Sequence, residues 1–324
     1  MSVRNTESRL PEGVELDGLG ENSLSADGKS ALVSFVSSPV VAGRENIYVV
    51  FVTDPGLGVD VAQFEWTLSE NGSAMVSQST EHGEFAYKPA APGQLEVTVR
   101  LLDASNAEKA VLTLEQGIAP LQAEIEAAID AARDSKGPVI GNPDVAREIV
   151  NDHSPYHQEI ALQAPEADDA FERFVYGILY EGVLRCGPAD RKARLERLAE
   201  ALNGEGSFPD ASAVGMGICG VRLTLLAMAR GLLPWTELPQ EGAARIAADD
   251  KLRESLAAAD EDARIDLFNL VRFPKSNVVQ TARLIEGLRD RYFSGASFNE
   301  VLTGLSGTRA HWIARHFREG PLTT

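Results

Sequence analysis

The chain has 324 residues, of which 44% are hydrophobic and 24% are charged, and its formal net charge is −18. This composition is typical of a globular protein of two or three domains and excludes a wholly disordered chain. The negative charge argues against a nucleic-acid backbone or an anionic membrane surface as the main partner, because both are polyanions. A solvated acidic surface, cation binding and a basic protein partner all remain compatible with it.

Residues 1–30 are polar and contain no apolar segment of the kind found in a signal peptide. We expect them to form a flexible arm, either inert or used for docking, on a protein that is made in the cytoplasm. Export by a non-classical route is left open. The two cysteines, Cys186 and Cys219, are too few for a disulfide scaffold and do not have metal-ligand spacing. We expect buried free thiols, with a single disulfide bridge as the alternative.

Residues 31–116 show the period-two pattern of β-strands. About seven short strands are separated by turn signals, among them Asn71-Gly72, which favours a tight hairpin. Alternate residues of a strand point to the same side, so two strands each present one apolar face. Those faces consist of Phe64, Trp66 and Leu68, and of Leu95, Val97, Val99 and Leu101. The number and spacing of the strands predict an antiparallel β-sandwich.

This segment resembles a PKD-type immunoglobulin-like domain. The resemblance rests on Phe64-Glu65-Trp66, Tyr87, Pro92-Gly93 and Asp103, which fall where such domains have an aromatic-x-Trp strand, an aromatic residue before a Pro-Gly corner and an Asp-containing turn. The turn SENGSA departs from the usual Gly-Asp-Gly type. The resemblance covers about a quarter of the chain. It implies an immunoglobulin-like fold used as a spacer or binding module, and no specific activity.

From residue 118 to residue 324 the pattern becomes helical, and we predict a single all-α domain. It resembles no family that we recognise. Its most hydrophobic segment, residues 209–233, is long enough to cross a bilayer. Arg222 lies in the middle of that segment and would cost about 2.5 kcal/mol or more at the bilayer centre. We therefore predict a helix in the core of the domain and no membrane span.

Two groups of residues in the helical part are candidates for chemistry. Asp152, His153, His157 and Glu159 lie within eight residues and are suitable ligands for zinc or another divalent metal. Pro155 lies between the histidines and disfavours the helix that would bring them together, so a loop that caps neighbouring helices is the alternative.

The second candidate is Glu181, a carboxylate near the end of an apolar helix. Burial would raise its pKa, as a general acid requires. Pairing with an arginine, either Arg185 or Arg222, is the structural alternative. His311 and His316 diverge by about 140° on an ideal helix, so we expect them to serve packing of the last helix rather than metal binding.

The favoured hypothesis is a non-catalytic binding or structural protein. In it, the sandwich and the helical domain mediate protein–protein interaction, in an assembly such as a phage-like or secretion particle. It predicts a broad apolar patch or an unpaired strand edge. The alternative is an enzyme or toxin-like effector, such as a metal-dependent hydrolase, with its site in the helical domain and the sandwich as a targeting module. Apart from a divalent metal in that alternative, we expect no cofactor.

Overall fold

The computed structural model describes residues 10–11, 13–35, 40–43, 45–52, 61–120, 169–186, 188–303 and 308–323. The chain divides into two compact units. The first, the β-rich unit, comprises Met1–Gln122 and Phe273–Lys275, and the second, the helical unit, comprises Ala123–Arg272 and Ser276–Thr324. The predicted succession of a β-rich part followed by a helical part is therefore confirmed.

Nine strands are described in the β-rich unit, two more than the sequence predicts, and both additional strands are short. The strands are β1 (Asn22–Leu24), β2 (Ser30–Ser34), β3 (Val40–Val41), β4 (Asn46–Val52), β5 (Gln63–Glu70), β6 (Ser73–Thr80), β7 (Glu84–Tyr87), β8 (Gly93–Leu102) and β9 (Glu108–Ala119). They form a four-stranded sheet in the order β1-β2-β4-β7 and a five-stranded sheet in the order β3-β9-β8-β5-β6. Neighbouring strands pair antiparallel, except that β3 and β9 are parallel.

The two sheets share one hydrophobic cluster, which contains side chains from β2, β4 and β7 on one side and from β5, β8 and β9 on the other. The alternation of β5 explains its part in the cluster, since Phe64, Trp66 and Leu68 are buried while the residues between them face outward. The ring of Trp66 stacks on that of Phe85 from the other sheet, with centroids 5.4 Å apart. The predicted apolar faces therefore form the core.

The four-stranded sheet is buried on both faces along β2 and β4, and β4 accordingly reads as a continuous apolar run. Its second face carries a separate cluster, made of Leu10, Val14, Leu16, Leu19, Val33, Phe35, Ile47, Val49, Phe51 and Phe273. The N-terminal segment thus covers this sheet. The amide of Gln116 also donates a hydrogen bond of 2.6 Å to Glu21. The prediction of a flexible arm over residues 1–30 is wrong from Leu10 onward, because these apolar side chains are packed and residues 22–24 form β1.

The described helices are α1 (Asp169–Arg185), α2 (Pro188–Leu202), α3 (Phe208–Ala211), α4 (Leu223–Ala229), α5 (Gly242–Ala257), α6 (Glu261–Arg272), α7 (Pro274–Tyr292), α8 (Phe298–Thr303) and α9 (Thr308–Glu319). Helix α5 is continuous from Gly242 to Ala257. Asp249 and Asp250 both pair with Arg253 one turn further on, which stabilises the continuous helix.

The hydrophobic segment 209–233 is not the single core helix that its composition predicts. Its middle forms a loop in which Gly217 and Gly220 have φ values of 69° and 70°. Asn277 holds this loop by accepting the N–H of Cys219 and donating to the carbonyl of Met216. Helix α3 ends at Ala211 on one side of this loop, and the seven residues of α4 form the helix on the other side. No helix within the described parts of the chain has the length and apolar character that crossing a membrane requires.

Candidate functional site

Strand β6 forms one edge of the five-stranded sheet, and among the described residues its neighbour in that sheet is β5 alone. The turn that begins it is the predicted Asn71-Gly72 hairpin, with both residues at positive φ. The Asn71 carboxamide accepts the N–H of Gln94 at 2.9 Å, which fixes the turn against β8. The edge is thus held at a defined position by the strands behind it.

The inner face of β6 is anchored in the core. The indole N–H of Trp66 donates to the hydroxyl of Thr80 at 2.8 Å, and that hydroxyl donates in turn to the carbonyl of His82 at 2.6 Å. Val76 packs against the shared hydrophobic cluster. These contacts hold the strand, while six of its eight residues are exposed.

The register of β6 contains one irregularity. Leu68 pairs with Val76 and Ser69 pairs with Ala74, so Met75 is an extra residue in a bulge, and its side chain is 47% exposed. From Val76 to Thr80 the pairing is regular over five residues. In an antiparallel sheet, alternate residues of an edge strand direct their N–H and C=O groups away from the sheet. This regular stretch therefore offers backbone groups to an additional strand.

Edge strands usually carry charges or proline, which prevent unwanted pairing. Strand β6 has the sequence SAMVSQST, with no charged residue and no proline, and among the described residues its one protecting feature is the bulge at Met75. The other described edges are shorter: β1 has three residues, β3 has two and β7 has four. Among the described residues, β6 is therefore the longest and least protected edge.

The two predicted catalytic residues belong to a buried ionic cluster in the helical unit. Glu181 of α1 is 4% exposed and forms an ion pair with Arg318 of α9. Arg222 donates to the carboxylate of Asp249 and, at 3.5 Å, to the backbone carbonyl of Arg318. The structure thus brings Glu181 and Arg222 together through Arg318, a residue that the sequence analysis did not identify. These pairings stabilise the last helix, and a catalytic role for either residue stays a prediction.

His316 of α9 is fully buried, and its environment explains why it is there. Its Nδ1 accepts the N–H of Leu322 at 3.2 Å, and its ring lies 4.3 Å from that of Tyr292 and 4.6 Å from that of Trp312. Burial is the main cause that lowers the pKa of His316 to about 4. The ring is therefore neutral at pH 7 and packs the C-terminal segment, as the sequence predicts.

The predicted metal ligands Asp152, His153, His157 and Glu159 lie outside the described residues. Within the described ranges, no group of three or more His, Cys, Asp or Glu side chains is placed to hold a metal ion. Cys186 and Cys219 are buried free thiols. The prediction of free thiols is thereby confirmed.

No known protein family matches the sequence, and no curated protein matches it. The residues themselves are therefore the basis for a functional proposal.

Proposed function

We propose that the protein is a non-catalytic binding or structural protein whose β-rich unit docks a protein partner at the open edge of β6. One observation carries the proposal: the regular stretch from Val76 to Thr80 is uncharged, exposed and hydrogen-bonded, among described strands, on one side only. An extended segment that adds to such an edge gains main-chain hydrogen bonds, while alternate side chains provide specificity.

We further propose that the β-rich unit is an immunoglobulin-like domain of the PKD type. The order β2-β4-β7 corresponds to strands A, B and E of such a sandwich, and β9-β8-β5-β6 corresponds to G, F, C and C′. In this assignment Trp66 on β5 takes the place of the buried tryptophan on strand C, and its ring stacks on Phe85 of β7, the strand assigned as E. Strand β6 is then the C′ edge, and domains of this architecture serve mainly as binding modules and spacers.

The arrangement of polar groups also favours binding over a purely structural role for β6. Its inner residues, Val76 and Thr80, are already satisfied by the core and by Trp66. The outward residues Ser77 and Ser79 are small, so their side chains do not shield the backbone of the edge. Folding of the unit does not require this edge to stay uncharged.

The test is site-specific photocrosslinking in cells that make the protein. A crosslinking residue is placed at Ser77 on β6, and a matched one at Thr113, which is exposed on β9 of the same sheet. We expect a discrete protein adduct from position 77 that is absent from position 113, and a charged edge, introduced as Ser79→Lys, should abolish it. Equal adducts from both positions, or an adduct that survives Ser79→Lys, would contradict docking at β6.

A further inference from the structure

The sequence of the β-rich unit is acidic between Leu10 and Pro120. Residues 10–120 contain 16 acidic and 5 basic residues, a net charge of −11 out of the total of −18. The strand that offers its edge is nevertheless uncharged along its whole length. An incoming segment at β6 therefore meets a neutral backbone inside a strongly negative field, which acts over the distance of a Debye length, about 8 Å at physiological salt.

The outward face of the five-stranded sheet shows how this charge is arranged. Glu65 of β5 lies directly opposite Ser79 of β6. The basic residues of β8 and β9 offset part of this charge, because each is paired with a carboxylate. Arg100 binds Glu65 at 2.7 Å and Glu108 at 2.9 Å, and Lys109 binds Asp103 at 3.1 Å.

Further exposed carboxylates lie on the same outward face, on β8 and β9, and at the end of β6. Glu96 and Glu115 are cross-strand partners on the same outward face, and Glu81 follows the last residue of β6 directly. A strand added beyond β6 would lie about 10 Å from β5, because neighbouring strands are about 4.8 Å apart. Lysine or arginine side chains on the added strand are long enough to reach toward the carboxylates of the sheet. An acidic side chain that came equally close would be repelled by them.

We infer that the segment that docks on β6 is an extended basic stretch of a partner protein, with lysine or arginine at alternate positions. This inference rests on the proposed function and names the chemistry of its partner. A second copy of this chain is the less favourable occupant, because it would bring another −18 charges against the same face. Opposite charges at the rim of an interface raise the association rate and select the partner.

The experiment uses the full-length protein and three synthetic nine-residue peptides with one Val/Thr scaffold. The peptides carry lysine, glutamine or glutamate at three alternate positions, and binding is measured by fluorescence anisotropy at 50 and 500 mM NaCl. Three solvent-exposed charge pairs together are worth about tenfold in affinity. We therefore expect the lysine peptide to bind about tenfold more tightly than the glutamine peptide at low salt, and high salt to remove most of that difference.

Two variants locate the binding. The double substitution Ser77→Lys/Ser79→Lys charges the edge without changing the core and should abolish binding of the lysine peptide. Val111→Lys/Thr113→Lys adds the same charge on β9, whose side chains at these positions are also exposed, and should retain most of the binding. Circular dichroism of both variants checks that the fold is kept.

The outcomes separate the two proposals. If no peptide binds, or if the lysine peptide binds equally to the Ser77→Lys/Ser79→Lys variant, docking at β6 is overturned. If all three peptides bind equally and the edge variant abolishes binding, docking stands and the inference of a basic partner fails. Sedimentation that shows a dimer of the unmodified chain, lost in the edge variant, would identify a second copy as the occupant and would also overturn the inference.

Discussion

Protonation of His316 should destabilise the helical unit at mildly acidic pH. The ring is completely buried, and its Nδ1 is already used to accept the N–H of Leu322. A proton on Nδ1 would replace that acceptor with a donor facing another donor. Burial lowers the pKa of His316 to about 4, with a further lowering from Arg315 and an opposing effect from Glu319. The ordinary value, which applies to the unfolded chain, is about 6.5.

The direction and size of this change in unfolding free energy follow from the linkage between protonation and folding. The folded state binds fewer protons than the unfolded state between the two pKa values, so stability is complete above about pH 6.5 and is lost as the pH falls toward 4. One pKa unit corresponds to about 1.4 kcal/mol, so the full loss is about 3 kcal/mol, of which about 2.5 kcal/mol appears between pH 7.5 and pH 4.5. This is a large part of the stability of an ordinary domain.

The assay compares the protein with His316→Asn in urea titrations at half-unit steps of pH. The asparagine oxygen can accept the Leu322 N–H in place of Nδ1 but does not titrate. A Trp66→Phe background removes the β-rich unit's tryptophan, so that fluorescence reports on Trp235 and Trp312 of the helical unit. Between pH 7.5 and 4.5 the parent should lose about 2.5 kcal/mol more than the variant. His311→Asn, an exposed position on the same helix, is the matched control and should keep the parent's pH dependence. Parallel curves for the parent and His316→Asn would refute the reasoning.

Three further predictions concern the loop between α3 and α4. Asn277→Ala leaves the N–H of Cys219 and the carbonyls of Met216 and Val271 without their partner, so urea denaturation should show a loss of about 3 kcal/mol or more, and a loss below 1 kcal/mol would contradict a clamping role. Gly182→Ala would place a methyl group against the carbonyl of Ile218, so we expect a loss of about 1–3 kcal/mol, and an unchanged melting temperature would argue against this close approach. Burial raises the pKa of the Cys219 thiol to about 12, so Ellman's reagent at pH 8 should modify it only after denaturant is added, and rapid labelling of the native protein would be inconsistent with this burial.

Periodicity predicted those elements whose character is set by residues close in sequence. The alternation of Phe64, Trp66 and Leu68 gave β5 its inward face, and Asn71-Gly72 gave the hairpin that leads to β6. The packing of the N-terminal segment was not predicted, because its apolar residues are few and scattered. Leu10, Val14, Leu16 and Leu19 become a packed surface only against β2 and β4, which lie later in the chain.

For the segment 209–233, the sequence predicts burial but not the conformation of the backbone. Its hydrophobicity predicted burial correctly, since Met216, Val221 and most of α4 are inaccessible to solvent. It did not predict the backbone conformation, because that depends on Asn277 more than fifty residues later, which binds the loop at Cys219 and Met216. A long-range hydrogen-bond partner of this kind leaves no periodic trace in the segment that it holds.

The residues of the ionic cluster are explained by their contribution to folding, whereas the uncharged edge of β6 is not. This difference favours the sheet edge as the functional site. Glu181 is buried with a cation beside it, and the pairing with Arg318 accounts for its presence, because an unpaired buried carboxylate would be costly. Arg222 is likewise accounted for by Asp249. No contact among the described residues accounts in this way for the uncharged edge of strand β6. A lysine at Ser77 or Ser79 would leave the core contacts of Val76 and Thr80 intact and would protect the edge from unwanted pairing. A feature that costs the protein protection without improving its fold is best explained by a partner that uses it.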